Sequence, residues 1–386
     1  MIEFRIETTA GEARAGVLST ERAEIQTPAF MPVATQGSVK GLDAQDLFGL
    51  GTRLVIMNTY HLWLRPGPEL VRTLGGLHEF TRFRAGIVTD SGGFQAFSLA
   101  ERVKLGEDGF EFASHLDGRR MLLSPEEAMR VQGLLGSDIA MQLDVCPPGG
   151  SARPALVAAV ERTTRWAERC LNARAPGQAV FGIVQGGTDV ELRLSHAEAL
   201  AKLPFDGIAL GGFSVGEPNP DMHRALSAVA PRLDAARPRY LMGVGTPADL
   251  VRAIGNGIDM FDCVMPTRNA RNGQAFTRTG RLAIRNARYR DDPRPLEDGC
   301  ACPACRGGYS RAYLRHLHLA HEMSAGRLLT LHNVAFYGRL VADARQAILA
   351  GTYPAWARER LSGFRGDVAA DEIAESGGET AQSPTD

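Results

Sequence analysis

The sequence lacks long apolar runs and any strong excess of one charge. No stretch of 18 consecutive apolar residues occurs in its 386 residues, so we expect no membrane-spanning helix. The first residues include Glu3 and Glu7 and no apolar segment, so we expect no secretory signal. The net charge is −1, and a polyanionic partner would therefore have to meet a local basic patch. These absences favour a cytoplasmic protein, and a hydrophobic content of 44% suffices for a large core.

Cysteine is scarce outside one short segment. Three of the six cysteines, Cys300, Cys302 and Cys305, fall within six residues, which suits a metal clip better than a disulfide framework. A structural zinc site is closed by four ligands. We choose His332 as the fourth ligand, because segment 309–323 predicts a helix whose histidines point in several directions. The sequence thus predicts one structural Zn²⁺ per chain. The other candidates for the fourth ligand are His316, His318 and His321.

Short apolar runs recur along the first 270 residues and predict buried strands. Continuous apolar character, without alternation, is typical of strands covered on both faces. Helix-start signals lie between several runs, at Ser124-Pro125, Thr188-Asp189 and Thr246-Pro247. Eight strands alternating with helices predict a (β/α)₈ TIM barrel, with a doubly wound open sheet as the rival. The eight predicted strands are 27–33, 53–58, 86–89, 138–143, 180–184, 207–211, 239–243 and 259–264.

Polar residues and glycines cluster just after these predicted strands. Turns favour glycine and aspartate, and this preference explains the glycines. The preference does not explain why three carboxylates, Asp90, Asp144 and Asp262, lie at or just after the ends of apolar strands. In a barrel these ends form the C-terminal mouth, where active sites of this fold are built. We therefore expect the functional site there.

Asp262 interrupts the apolar run 260–266, and two arginines, Arg268 and Arg271, follow closely. A carboxylate can attack carbon, while guanidinium groups can hold a phosphate. The segment 268–315 contains 11 arginines, no lysine and four acidic residues, a local balance of +7. Such a patch is typical of contact with a nucleic-acid backbone.

The changes of composition predict four units along the chain. Residues 1–284 form the main part of the barrel, and residues 285–335 form an Arg-rich zinc-binding insertion near the C-terminus. Residues 336–364 form C-terminal helices that pack on the barrel. Residues 365–386 form an acidic, Gly- and Ser-rich tail that we expect to be disordered.

Four motifs together resemble those of the bacterial tRNA-guanine transglycosylases, from about residue 4 to residue 364. Each motif is several residues long, and their order and spacing agree with the family. The motifs are Asp90-Ser91-Gly92-Gly93-Phe94-Gln95, residues 181–187, residues 260–268 and the three-cysteine, one-histidine clip.

The resemblance implies a (β/α)₈ barrel enzyme that exchanges the wobble guanine of GUN-anticodon tRNAs (Asp, Asn, His, Tyr) for a 7-deazaguanine precursor of queuosine. It implies Asp262 as the nucleophile that forms a covalent intermediate with the ribose, and Asp90 as the general acid/base. It also implies a homodimer, in which one protomer performs the chemistry while the other helps to hold the tRNA.

The resemblance further implies two sets of binding residues. The extruded base is read by its edges, with Asp144 and Gln185 facing the amide and amino edges and Phe94 and Met242 sandwiching the ring. The implied base-binding residues are Asp90, Ser91, Gly92, Gly93, Phe94, Asp144, Gln185, Gly212, Phe213 and Met242. The implied tRNA-binding residues are Gly243, Val244, Gly245, Thr246, Pro247, Ala248, Asp249, Thr267, Arg268, Asn269, Ala270 and Arg271.

Three positions depart from the pattern of the bacterial family. Val145 stands where glutamate is usual, Phe213 replaces a usual leucine, and Gly307-Gly308 lengthens the zinc loop by one residue. The segment Val215-Gly216-Glu217 keeps the bacterial pattern and favours 7-aminomethyl-7-deazaguanine over the larger queuine as the incoming base. The alternatives are exchange with queuine, a non-catalytic tRNA-binding subunit, and an unrelated barrel hydrolase. The presence of both Asp90 and Asp262 argues against a non-catalytic subunit. The Arg-rich insertion argues against an unrelated hydrolase.

Overall fold

A computed structural model describes residues 2–99 and 101–375, without the side chains of 99, 101, 102 and 365–375. All eight predicted barrel strands are confirmed: β4, β5, β6 and β10 to β14, as bounded below, pair in parallel, and β14 pairs with β4 to close the barrel. This closure excludes the open-sheet alternative. The strands of the described residues are Glu3–Ala10 (β1), Ala13–Ser19 (β2), Glu24–Thr27 (β3), Ala29–Ala34 (β4), Leu54–Met57 (β5), Gly86–Thr89 (β6), Glu101–Leu105 (β7), Phe110–Ala113 (β8), Arg120–Leu123 (β9), Ile139–Met141 (β10), Ala179–Val184 (β11), Gly207–Leu210 (β12), Arg239–Leu241 (β13), Met260–Cys263 (β14), Gln274–Thr277 (β15) and Gly280–Ala283 (β16).

Helices cover the outside of the barrel between its strands. Short 3₁₀ turns occupy Ala230–Arg232 and Ala287–Tyr289. The α-helices of the described residues are Ala44–Gly49 (α1), Thr59–Leu64 (α2), Pro68–Thr73 (α3), Gly76–Thr81 (α4), Gly93–Leu99 (α5), Pro125–Leu135 (α6), Arg153–Asn172 (α7), Val190–Ala201 (α8), Asn219–Val229 (α9), Pro247–Gly255 (α10), Met265–Arg271 (α11), Pro303–Arg306 (α12), Arg311–Leu319 (α13), Met323–Leu349 (α14) and Tyr353–Glu375 (α15).

The predicted helix starts are confirmed, although the capping residue of one helix differs from the predicted one. Ser124 and Thr246 cap α6 and α10, since each side-chain oxygen accepts a hydrogen bond from the backbone N–H three residues later. For α8 the cap is Asp189 and not Thr188, because the Asp189 carboxylate accepts from Leu192 N–H. A carboxylate at this position also interacts favourably with the positive end of the helix dipole.

Alternate residues of the barrel strands fill its interior. Val88, Ile183, Tyr240 and Met260 belong to one buried apolar cluster, which is the interior core. Their neighbours Phe261 and Leu241 belong to a second cluster that packs towards the helices. Because successive side chains of a strand point to opposite faces, the residue two positions after an interior residue also points inwards. This alternation decides which residues reach the mouth.

Among the described residues, three antiparallel sheets accompany the barrel, and the apolar runs did not predict them. Strands β1 to β3 form a sheet in which Leu18 and Ile25 join the interior core, so that the sheet covers the N-terminal end of the barrel. Strands β7 to β9 lie between β6 and α6, and β15 and β16 form a hairpin after α11. These strands are short or amphipathic, and they therefore resemble loops in a search for buried runs.

Helix α14 connects the segment 285–335 to the barrel. Its buried Asn333 donates to Pro266 O and Gln274 O and accepts from Phe276 N–H, which joins α14 to α11 and to the β15–β16 hairpin. The helix crosses position 335, where we placed a boundary between units. Helix α15 includes residues 365–375 of the predicted tail, and residues 376–386 lie outside the described part. The division into four units stays a prediction.

Each helix of the described residues is too short or too polar to cross a bilayer.

Candidate active site and metal centre

Asp262 lies at the mouth of the barrel, two residues after the interior residue Met260. Its Oδ1 accepts hydrogen bonds from Tyr240 OH at 2.6 Å and from Gly243 N–H at 2.8 Å. No described residue donates to its Oδ2. Burial raises the pKa of Asp262, and the two donors oppose this shift. One carboxylate oxygen is thus held in place, while the other is free to react.

Asp90 lies across the mouth and follows the interior residue Val88. Its Oδ1 accepts from the N–H groups of Thr59 at 2.9 Å and Gly92 at 3.2 Å. Its Oδ2 accepts from Asn58 Nδ2 at 2.6 Å and Gln95 Nε2 at 3.3 Å. Burial raises the pKa of Asp90 to about 7, and the negative charge of Asp262 adds to this effect. Asp90 is therefore poised to take up and release a proton near neutral pH.

Asp144 and Gln185 form a polar pair at the bottom of the pocket. Gln185 Nε2 donates to Asp144 Oδ2 at 2.6 Å, and Ser91 Oγ donates to Asp144 Oδ1 at 3.2 Å. Burial raises the pKa of Asp144 to about 6. Gln185 Oε1 is buried and has no hydrogen-bond partner among the described residues. A buried polar atom without a partner is costly, which is consistent with a site that a polar ligand completes.

Several of the remaining predicted base-binding residues lie beside this pair. The structure brings Ser91, Gly92 and Gly93 together with Asp144, and all three are buried. Phe94 is 49% exposed and Met242 is half-buried, so their side chains retain free surface. A Cβ on Gly212 would lie 2.3 Å from Gln185 Oε1, and its φ is +66°. Only glycine fits there.

The predicted tRNA-binding residues divide into exposed and buried members. Arg268 and Arg271 are exposed, and neither forms an ion pair with a carboxylate of the described residues. Asp249 is 4% exposed, and its carboxylate accepts from Asn219 Nδ2 and contacts His223 Nε2, so it organises the loop. The buried members therefore present little side-chain surface to a ligand in solution. The buried members are Val244, Gly245, Pro247, Asp249, Thr267 and Ala270.

The three cysteines and His332 converge as predicted. His332 Nδ1 lies 3.8 Å from the Cys300 sulfur and 3.5 Å from each of the other two. A tetrahedral site with zinc-like bond lengths would separate its ligand atoms by about 3.5–3.8 Å. His332 Nε2 contacts Phe276 O at 2.7 Å, which fixes the ring with Nδ1 towards the thiols. The four residues therefore fit a metal ion.

Sequence reasoning missed three residues that hold the two carboxylates. Tyr240 is fully buried, and burial together with the charge of Asp262 raises its pKa well above the usual value, so that it remains a hydrogen-bond donor. Asn58 and Thr59 follow β5 and support Asp90. Alternation along the strands could have identified Tyr240, since it points inwards two positions before Met242.

Comparison with known proteins gives a consistent result. Residues 9–365 match a family model described as queuine tRNA-ribosyltransferase. A relative of that name from Sorangium cellulosum is 64% identical over 351 residues, 91% of this chain and 89% of its own length. Another from Stenotrophomonas maltophilia is 50% identical over 95% of this chain and 98% of its own length. A third, from Neisseria meningitidis, is 49% identical over 92% of this chain and 96% of its own length.

Replacement of Cys302 by alanine tests the metal centre. The Cys302→Ala protein should lose its bound metal ion and unfold at a lower temperature, because metal binding contributes directly to folding. Elemental analysis and a thermal melt measure the two effects. Cys146→Ala, a change outside the cluster, should retain the metal. Equal metal content in the wild type and Cys302→Ala would contradict the assignment.

Proposed function

The chain belongs to the queuine tRNA-ribosyltransferase family, the tRNA-guanine transglycosylases, which are pentosyltransferases. We propose that the enzyme exchanges the wobble guanine of tRNAs with a GUN anticodon (Asp, Asn, His, Tyr) for 7-aminomethyl-7-deazaguanine, in queuosine biosynthesis in the cytoplasm. The observation that carries the proposal is the free Oδ2 of Asp262 opposite Asp90.

In the first half-reaction Asp262 attacks the sugar of the extruded nucleotide. Its Oδ2 forms a bond to C1′ while the C1′–N9 bond breaks, and the electron pair of that bond goes to the leaving guanine. The protonated form of Asp90 supplies the proton that the imidazole side of the base requires. The hydrogen bonds from Tyr240 and Gly243 hold Asp262 Oδ1 during the attack and orient the reacting oxygen.

In the second half-reaction the incoming base displaces Asp262. Asp90, now a carboxylate, takes the N9 proton of the base while N9 forms a bond to C1′. The bond between C1′ and Asp262 breaks, and its electron pair returns to the carboxylate. The ribose configuration is retained because two displacements occur.

Base recognition depends on the pocket around Asp144. This carboxylate accepts from N1–H and the exocyclic amine of guanine, and a purine that lacks the amine leaves it unsatisfied. Glu217 lies at the rim, where it accepts hydrogen bonds from Ser214 N–H at 2.5 Å and Val215 N–H at 2.9 Å. Its negative charge favours an aminomethyl cation on the incoming base over the bulkier queuine.

Contact with the tRNA backbone rests on Arg268 and Arg271. Both are exposed beside the nucleophile and lack a carboxylate partner among the described residues, so their charges are available to phosphate. We assign the metal as structural Zn²⁺, since three thiolates and one imidazole form a closed set with no position left for water. The ion stabilises the Arg-rich insertion and has no direct part in the chemistry.

We also propose a homodimer. Tyr309 and Tyr313 on the metal-binding insertion stack with their centroids 5.8 Å apart, and both remain exposed. Tyrosine is enriched at protein interfaces relative to the rest of the surface. Tyr313→Ala should shift the chain from dimer to monomer in sedimentation experiments, whereas Tyr289→Phe, on a buried tyrosine, should not. A monomeric wild type at micromolar concentration would refute this proposal.

The nucleophile assignment is tested with Asp262→Asn. The variant should lose exchange by at least about a thousandfold, while its tRNA affinity stays within about tenfold, because the nucleophile acts after docking. Asp234→Asn, an exposed carboxylate at the opposite end of the barrel, serves as the matched control. On a denaturing gel the wild type should retain labelled tRNA, and 7-aminomethyl-7-deazaguanine should release it faster than queuine. Retention of label by Asp262→Asn would contradict the assignment of the nucleophile. Faster release by queuine would contradict the assignment of the incoming base.

The raised pKa of Asp90 predicts opposite pH dependence for the two half-reactions. Guanine release needs protonated Asp90, so its single-turnover rate should fall as the pH rises through about 7. Release should also fall at low pH, where Asp262 becomes protonated. Attack by the incoming base needs the Asp90 carboxylate, so its rate should rise through the same range. Rapid-quench experiments measure the rate of each step as a function of pH. If both rates changed in the same direction as the pH rises through about 7, the role of Asp90 would be contradicted.

A further inference from the structure

Arg193 on helix α8 is fully buried and lacks a carboxylate partner among the described residues. Its guanidinium donates only to main-chain carbonyls. Burial lowers the pKa of Arg193 to about 9, which reflects the cost of its position. An apolar side chain of similar volume often serves stability as well as a buried charge does, so this arrangement indicates a further role. The four accepting oxygens belong to Val184, Gly187, Gly211 and Gly212.

These carbonyls lie on two neighbouring segments at the mouth. Val184 is the last residue of β11, and Gly187 lies in the loop that follows, two residues after Gln185. Gly211 and Gly212 precede Phe213 in the loop after β12. A single planar guanidinium thus fixes the distance and orientation between the two segments.

The hydrogen bond to Gly211 O also fixes a donor on the other side of the same peptide group. Arg193 Nη2 lies 2.8 Å from Gly211 O, and the N–H of that peptide belongs to Gly212. Because the two groups of a trans peptide point in opposite directions, the Gly212 N–H faces away from Arg193. It lies towards the Cys146 thiol at the pocket, whose pKa burial raises to about 12. A charged donor on the carbonyl also polarises the peptide and strengthens its N–H as a donor.

Phe213 is held by the same guanidinium. The Arg193 guanidinium carbon lies 3.6 Å from the centroid of the Phe213 ring, a close cation–π contact. Phe213 is buried, so this contact is shielded from water. The side chain of Arg193 therefore positions both a hydrogen-bond donor and an apolar wall of the pocket.

We propose that Arg193 is a positioning residue for base selection, which aims the Gly212 N–H at the oxygen on C6 of the bound purine. The inference rests on the proposed guanine exchange and goes beyond it, since Arg193 itself does not touch the base. It predicts that loss of the guanidinium weakens recognition of the C6 oxygen and leaves recognition of the 2-amino group by Asp144 unchanged.

Three free bases separate these contributions. Guanine has both groups, 2-aminopurine lacks the C6 oxygen and with it the N1–H, and hypoxanthine lacks the 2-amino group. The loss of N1–H is the same for the wild type and the variant, so it cancels when their preferences are compared. Each base is measured as a competitor of labelled guanine incorporation into tRNA. In Arg193→Lys the preference for guanine over 2-aminopurine should fall by about tenfold. The preference for guanine over hypoxanthine should stay within about twofold, since both bases keep the oxygen.

Arg239 provides the matched control. It is also buried and donates to backbone carbonyls, of Leu233, Asp234 and Gly257, but it lies at the N-terminal end of β13. Arg239→Lys should lower stability and leave both preferences unchanged. An equal loss of affinity for all three bases in Arg193→Lys would mean that Arg193 only supports the fold, and would overturn the inference.

If Arg193→Lys does not fold, a second variant tests the inference. Phe213→Leu keeps the four hydrogen bonds of Arg193 and removes the ring that holds its plane. The guanine preference over 2-aminopurine should then fall by about threefold, and an unchanged preference would overturn the inference. If the wild type fails to incorporate guanine at all, the proposed function fails instead, so the two failures are distinguishable.

Discussion

Eight parallel strands can close into a barrel only if every second side chain of each strand fills the interior. This constraint decides the geometry of the active site. Val88, Ile183, Tyr240 and Met260 occupy the interior, and the residues two positions later, Asp90, Gln185, Met242 and Asp262, continue in the same direction at the mouth. The apolar core and the reactive groups are thus successive layers of one stack, and a shift of any strand by one residue would turn its functional side chain towards the helices.

The cost of this arrangement is the burial of three carboxylates in a small volume. Burial raises the pKa values of Asp90 and Asp144 to about 7 and 6, and that of Asp262 in the same direction. Donors from Asn58, Thr59, Tyr240 and Gly243 offset part of the cost. Each carboxylate consequently has a different environment: both oxygens of Asp90 accept hydrogen bonds, whereas one oxygen of Asp262 has no donor among the described residues.

The Arg-rich segment 285–335 is ordered around a buried cluster that includes Tyr289, Leu296 and Leu314 together with the three cysteines. His332 converges with these cysteines in a set that fits a metal ion, and Asn333 on α14 joins this segment to α11, which carries Arg268 and Arg271. The acidic residues Asp292 and Glu297 pair with Arg294, Arg311, Arg278 and Arg339. Arg268 and Arg271, in contrast, form no ion pair with a carboxylate of the described residues.

Periodicity, ligand spacing and motif order are local properties of the chain, and they sufficed to predict the barrel, its eight strands, the cluster of three cysteines with His332, and two carboxylates, Asp90 and Asp262, at strand ends. They did not reveal the three accessory sheets, whose strands lack a buried run. Packing alone brings Tyr240 to Asp262, buries Asp249 against His223, and lets Arg193 join two segments at the mouth. These contacts join residues that are far apart in the chain or on different elements, and the local dielectric that sets each pKa exists only once the elements are packed.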